Sequence, residues 1–82
     1  MLQIGKMYIV PWPEWGFTSS DEEIKLEEGS FVVLLGIKKL PDGATHKQIR
    51  YDLVLLSSSS EIINCVQYAQ QLPFWNLTEN NL

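Results

Sequence analysis

The sequence predicts an all-β fold, a small barrel of five short strands, from two observations. The first is a tight turn at Glu28-Gly29, followed at residues 31–35 by the longest apolar run of the chain, FVVLL. Glycine reaches positive φ without steric cost, and a short run of β-branched and aromatic residues fits a strand covered on both sides better than a helix. The second is a succession of short apolar segments separated by turn residues, which is typical of small barrels and sandwiches.

The first strand is predicted at residues 7–12, where Pro11 ends the ladder because it has no amide hydrogen to donate. The segment at 11–21 contains proline, glycine, serine and aspartate, and it is predicted to be a long irregular loop. A short strand at 23–26 then leads into the glycine turn, and the second main strand follows at 31–38.

A turn at residues 40–45 separates this strand from a third strand at 48–56, whose alternating apolar residues share one face. The far half of the third strand is expected to be covered on both faces, because apolar residues also occupy its other face there. Four consecutive serines at 57–60 are interpreted as a hairpin turn in preference to a phosphorylated segment or a linker. The fourth strand is predicted at 61–66.

The C-terminal part is predicted to contain a short helical turn at residues 67–72 that Pro73 stops. A last short strand is expected at 74–75. We therefore expect one domain over residues 1–82, with a core at about 6–76 and a frayed tail at 77–82.

Length and composition favour a soluble protein with one modest core. The chain has 82 residues and a formal net charge of −4, which weighs against nucleic acid as the main partner. The single cysteine, Cys65, cannot form a disulfide within the chain, and the first residues lack the apolar core of a signal peptide. No apolar run is long enough to cross a membrane. A cytoplasmic location without membrane association is the expectation.

The layout resembles that of SH3-like barrels over roughly residues 6–76. The resemblance depends mainly on Ile24 and Leu26 before Gly29 and on the apolar residues 31–34 after it, a pattern similar to the diverging turn of that fold. Residues 67–72 would correspond to its 3₁₀ turn. The chain is also similar in size and pattern to small SH3-like proteins of unknown role from bacteria and phages. The resemblance implies a five-stranded barrel that acts by binding.

The sequence departs from the peptide-binding SH3 pattern. It has no Ala-Leu-Tyr-Asp-Tyr-like start, no paired tryptophans at the start of the third strand and no Pro-x-x-Tyr near the 3₁₀ turn. These residues build the groove for proline-rich peptides in that family. Binding of proline motifs is therefore not predicted.

Aromatic residues are concentrated in the predicted first loop. Trp12, Trp15 and Phe17 are predicted to contact a protein partner, together with Tyr51 on the third strand. The alternative is that the loop aromatics fold inward and close one end of the barrel, which is the commoner role of such residues. Trp75 is expected in the core or at its closure.

Charged residues separate into an acidic and a basic region. The acids are Asp21, Glu22, Glu23, Glu27 and Glu28, and the bases are Lys38, Lys39, Lys47 and Arg50, near His46. Solvated hairpins are the favoured interpretation. The alternative function is nucleic-acid binding through the basic hairpin at 38–50, and the charge separation would also help self-association.

No group of residues predicts catalysis. His46 has no oriented partner, and Cys65 has no basic neighbour in sequence that would lower its pKa. One histidine and one cysteine cannot form a tetrahedral zinc site, and no glycine-rich phosphate loop is present. We therefore expect a non-enzymatic module without metal or cofactor, whose partner is a protein or a second copy of the chain.

Overall fold

The computed structural model describes residues 2–41 and 48–78. These residues form seven strands and one 3₁₀ helix: β1 (Met7–Ile9), β2 (Glu14–Thr18), β3 (Glu23–Leu26), β4 (Phe31–Lys39), β5 (Arg50–Ser57), β6 (Ile62–Tyr68), η1 (Ala69–Phe74) and β7 (Asn76–Leu77). The strands make one antiparallel sheet in the order β3-β2-β6-β5-β4-β1-β7. The predicted all-β class is confirmed, with seven strands in place of five.

The N-terminal segment contributes to both sides of the β4–β5–β6 meander. Strand β1 pairs with β4 through Tyr8 and Val32, whereas β2 pairs with β6 through Thr18 and Ile63. The segment at 10–13 between them contains two prolines, which cannot donate to a ladder. The prediction of an irregular loop at 11–21 was wrong, because the composition that indicated a loop surrounds a strand, β2.

The turn between β3 and β4 is present as predicted. Gly29 has a φ of 86°, a conformation that glycine adopts without strain. Its amide donates to the carbonyl of Val10 at 2.8 Å, and the amide of Val10 donates to the carbonyl of Ser30 at 2.9 Å. The turn is therefore bonded to the chain that follows β1.

The core lies on one face of the sheet. Its buried apolar residues are Tyr8, Val10, Leu26, Val32, Leu34, Leu53, Leu55, Ile63, Cys65, Leu72 and Trp75. Along β4, Val32 and Leu34 are buried, whereas Phe31 and Leu35 are exposed. The prediction of a strand covered on both faces at residues 31–35 was therefore wrong: side chains alternate between faces, and only the inner face is packed.

The chain after β6 also differs from the prediction. Helix η1 includes Pro73, whose fixed φ is compatible with a 3₁₀ helix, so the proline does not stop the turn. The last strand is β7, two residues later than expected, and the amide of Thr78 donates to the carbonyl of Met7 at 3.0 Å. Ordered pairing therefore extends into the predicted tail, while residues 79–82 lie outside the described residues.

The remaining turns agree in part with the prediction. The serine segment joins β5 to β6 as a hairpin, with the amide of Ser57 donating to the carbonyl of Glu61 at 2.9 Å. The third and fourth predicted strands correspond to β5 and β6. Most of the predicted turn at 40–45 lies outside the described residues.

Candidate functional site

The outer face of the sheet, turned away from the core, carries apolar side chains in cross-strand rows. One row consists of Met7, Val33, Leu56 and Ile62, which are successive register partners on β1, β4, β5 and β6. Every member of this row is apolar. Antiparallel sheets with one packed face usually present polar residues on the other, so this row departs from the ordinary pattern.

A second row runs parallel to the first and continues through β2 to Glu23 on β3. Val54 on β5 is the register partner of Asn64 on β6, and Asn64 is the partner of Phe17 on β2. Continuing the same β2–β6 register by two residues brings Trp15 to the level of Val66. The two aromatic residues of β2 therefore lie beside the outward residues of β6.

Among the large apolar side chains of this face that are about half exposed are Trp15 (53%), Phe17 (51%), Ile62 (50%) and Val66 (50%). We define the outer apolar patch as these residues together with the half-buried Val54 and Leu56 between β4 and β6. Single exposed apolar residues are common, but adjacent ones mark interaction sites. The patch therefore departs from an ordinary polar surface.

Polar groups interrupt the patch at one position. The side-chain amide of Asn64 donates to both carboxylate oxygens of Asp52, at 3.1 and 3.3 Å. Lys38 is the register partner of Asp52 on β4. The Asn64–Asp52 pair therefore lies among the apolar residues, because Asn64 stands between Val54 on β5 and Phe17 on β2.

The four residues predicted to contact a partner do not form one surface. Trp15 and Phe17 lie together on the outer face, as part of β2. Trp12 is half buried: its indole nitrogen donates to the Glu14 carboxylate at 3.2 Å, and its ring centroid lies 5.8 Å from that of Phe74. Trp12 is therefore held against the body of the protein, whereas Trp15 and Phe17 project from it.

Tyr51, the fourth predicted residue, lines a cavity of about 410 Å³ beside η1. Tyr8, Pro73 and Trp75 are also among the lining residues, and the phenolic oxygen of Tyr8 accepts a hydrogen bond from the amide of Gln3 at 2.7 Å. This cavity is separate from the outer apolar patch. Tyr51 lies an even number of residues from Leu53 and Leu55 along β5, so it is on the inner face of the sheet as they are.

A buried hydrogen-bond network was not predicted from the sequence. Gln67 is fully buried; its amide nitrogen donates to the Glu14 carboxylate, and its amide oxygen accepts from the indole nitrogen of Trp75 at 3.1 Å. Gln67 has the same parity along β6 as Ile63 and Cys65. This period-two relation is the sequence signal that could have placed a glutamine in the core.

The predicted basic residues are distributed over different surfaces. Lys38 is opposite Asp52 on the outer face, whereas Lys39 is opposite Tyr51 and has the other parity. The Arg50 guanidinium donates to the carbonyl of Pro41 at 3.4 Å. Lys47 and His46 lie outside the described residues. Lys38 and Arg50 therefore share the outward parity of Asp52, whereas Lys39 has the inward parity.

The titratable group of the described residues whose pKa is clearly shifted is the thiol of Cys65. Burial raises the pKa of the Cys65 thiol to about 12, and the negative charges of Glu14 and Asp52 act in the same direction, against a hydrogen bond from Gln67 that lowers it. The thiol is therefore protonated at neutral pH. Within residues 2–41 and 48–78, no three histidine, cysteine, aspartate or glutamate side chains are placed to hold a metal ion.

The fold and its surfaces define a small all-β protein with an exposed apolar sheet face. Within the part of the chain that the structure describes, no helix has the length and apolar character needed to cross a membrane. Comparison with protein-family models, with curated proteins and with solved structures found no match.

Proposed function

We propose that this chain is a non-catalytic binding module that contacts another protein through the outer apolar patch. The observation that supports this proposal is that Trp15 and Phe17 on β2 share one outer face with Ile62 and Val66 on the neighbouring strand β6, around Asn64, the register partner of Phe17. All four apolar side chains are about half exposed. Removing apolar surface from water is favourable by roughly 25 cal/mol per Å². Burying these side chains against a partner would contribute this term, and the complex is stabilised by what exceeds the lost freedom of the two molecules.

The composition of the patch also supports a protein partner. Tryptophan and phenylalanine are enriched at protein interfaces, and tryptophan is among the residues whose removal costs most binding energy. The Asp52–Asn64 pair lies among the apolar residues, with Lys38 opposite Asp52, and supplies hydrogen-bonding groups there. A partner with complementary apolar and polar groups is the class of ligand that this surface fits.

We further propose that the chain is a small SH3-like barrel of cytoplasmic location. One support for the fold is the strand order β1-β4-β5-β6-β2, in which the first and last strands, β1 and β2, are consecutive in the N-terminal segment. The other supports are the Gly29 turn before β4 and the 3₁₀ helix before the last strand. The proposed surface is the outer face of the sheet. It is not the cavity lined by Tyr51 and Pro73.

The test compares capture of partners by the wild-type chain and by two variants. Phe17→Ala removes a half-exposed ring from the patch, whereas Phe74→Ala removes an exposed ring from η1, away from the patch. We expect a partner that is retained by wild type and by Phe74→Ala and lost with Phe17→Ala. Equal retention by both variants would contradict the proposal, once circular dichroism has established that both are folded.

A further inference from the structure

Strand β3 forms one end of the sheet, and its open edge has a definite pattern. In the hairpin that joins it to β2, the amide of Thr18 donates to the carbonyl of Glu22 at 2.9 Å. In an antiparallel ladder, residues two positions apart direct their backbone groups to the same neighbour. Because Glu22 bonds to β2, Ile24, two positions later, also directs its backbone groups to β2. Glu23 and Lys25 therefore direct their amides and carbonyls to the open edge.

The open edge has unused hydrogen-bonding groups, and beside it lies a groove lined by both apolar and polar residues. Within the described residues, the backbone hydrogen bonds outside the ladders involve no amide or carbonyl of Glu23 or Lys25. A groove of about 160 Å³ follows the edge, and Ile24, Phe31 and Ile63 are among its lining residues. An unpaired edge of this kind is a template for an additional strand.

We propose that two copies of the chain associate by antiparallel pairing of β3 with β3 about a two-fold axis at Ile24. In this register Ile24 faces Ile24 of the second copy, and Glu23 of each chain lies directly opposite Lys25 of the other. Both Glu23–Lys25 pairs then exchange backbone hydrogen bonds, because these two residues direct their backbone groups to the edge. The Ile24 side chains point toward the groove side of the edge.

Charge selects this register over its neighbours. The direction of the backbone groups allows symmetric registers that differ in steps of two residues. In one neighbouring register the two-fold axis passes through Glu23, so Glu23 lies opposite Glu23 of the second copy. In the other it passes through Lys25, so Lys25 lies opposite Lys25. Like charges directly opposite each other destabilise a ladder. The Ile24-centred register alone makes both hydrogen-bonded pairs oppositely charged.

The charges on β3 admit another interpretation, since charged residues on a short edge strand commonly prevent pairing. Such protection works when the outward residues repel an approaching copy. Here the two outward residues have opposite signs and are spaced so that a two-fold axis brings them together. The pattern therefore favours a second copy as the occupant of the edge.

This inference does not depend on the proposed function, because it uses the backbone edge of β3 and not the outer apolar patch. The two surfaces are nevertheless adjacent. Trp15 is the register partner of Lys25, and Phe17 is the partner of Glu23. Pairing about Ile24 would extend the outer face across the axis and bring the aromatic residues of both copies into one continuous sheet.

The test measures the mass of the protein by sedimentation equilibrium over a range of concentrations. We expect a monomer–dimer equilibrium for wild type. Lys25→Glu and Glu23→Lys, each alone, should weaken the dimer by about tenfold or more, because each converts two attractive pairs into repulsive ones. The double variant Glu23→Lys/Lys25→Glu exchanges the charges and should restore the dimer.

The control is Lys6→Glu, which changes the net charge equally at an exposed residue before β1 and should leave the dimer unaffected. Hydrogen exchange supplies a second measurement: the amides of Glu23 and Lys25 should become protected as the concentration rises. A wild-type protein that is monomeric at ~1 mM would overturn the proposal. A dimer that responds equally to Lys6→Glu and Lys25→Glu, or that the double variant does not restore, would also overturn it.

Discussion

Gly16 on β2 lies so close to β6 that a Cβ atom at this position would be 2.5 Å from Cγ2 of Ile63. The backbone carbonyl oxygen of Asn64 would be 2.7 Å away, and a backbone atom cannot move aside as a side chain can. The absence of a side chain at Gly16 therefore allows β2 to approach β6 closely. Strand β2 carries Trp15 and Phe17, so this contact also positions the proposed binding surface.

We expect Gly16→Ala to lower the free energy of unfolding by roughly 1–3 kcal/mol, the usual cost of forcing atoms into a packed contact. Chemical denaturation followed by circular dichroism measures this change. Gly36→Ala is the matched control, because a Cβ at Gly36 would meet Val54 at an ordinary 3.8 Å. Equal stability of the two variants would contradict a close approach at Gly16.

A second prediction concerns the buried amide of Gln67. Replacing it by leucine removes the hydrogen-bond partner of the Trp75 indole nitrogen and one donor to Glu14. Because a buried group left without its partner costs about 1–3 kcal/mol, we expect Gln67→Leu to destabilise the fold by an amount in this range. Thermal and chemical unfolding provide the measurement.

The matched control for this variant is Gln70→Leu, which makes the same chemical change at an exposed residue of η1. Surface substitutions of this kind usually change stability by less than about 0.5 kcal/mol. The fluorescence of the buried Trp75 should change in Gln67→Leu and not in Gln70→Leu. If Gln67→Leu were as stable as Gln70→Leu, the buried hydrogen-bond network would contribute little to the free energy of unfolding.

The sequence was most informative where local chemistry determines the structure. The Gly29 turn and the strands on either side of it were predictable, because positive φ and β-forming residues act within a few positions. The all-β class follows from the same signals. Strand β2 was not predictable in this way, because its loop-like composition is overridden by pairing with β3 in a hairpin and with β6, far along the chain.

The candidate site was predictable in part. The aromatic content of residues 15–17 was recognised, but burial of Trp12 against Phe74 and exposure of Trp15 depend on which strands pair. Tyr51 was grouped with these residues because its face of the third strand was expected to neighbour the loop, and its inward parity separates it from them. Sequence spacing gives the parity of a residue along a strand, whereas the sheet order decides which strands are neighbours.

The third prediction addresses the alternative of nucleic-acid binding. Lys38 and Lys39 have opposite parities on β4, and Lys38 is opposite an acid, so the described basic residues do not form one continuous groove. With a net charge of −4, we expect no oligonucleotide binding that weakens steeply with salt. Fluorescence anisotropy with a labelled single strand measures this directly. Tight binding at low salt that Lys38→Glu abolishes would contradict the expectation.

The last prediction concerns Cys65 and alkaline pH. The raised pKa of about 12 means that the folded thiol keeps its proton at pH values where an unfolded thiol, with a pKa of about 8.5, releases it. Above about pH 8.5 the unfolded state binds fewer protons than the folded state, so the free energy of unfolding falls as pH rises. The contribution of Cys65 to stability is therefore fully present below about pH 8.5. It is lost progressively as the pH rises toward the folded pKa of about 12.

Two measurements test this effect of Cys65. The thiol should react slowly with a disulfide reagent at pH 8 in the folded protein and rapidly in denaturant, because it is buried and protonated. The difference in stability between wild type and Cys65→Ala, measured at several pH values, should be constant from pH 6 to about 8 and shrink between about 8.5 and 12. If the stability difference between wild type and Cys65→Ala stays constant throughout the alkaline range, the pKa of the folded thiol is not raised and the prediction is wrong.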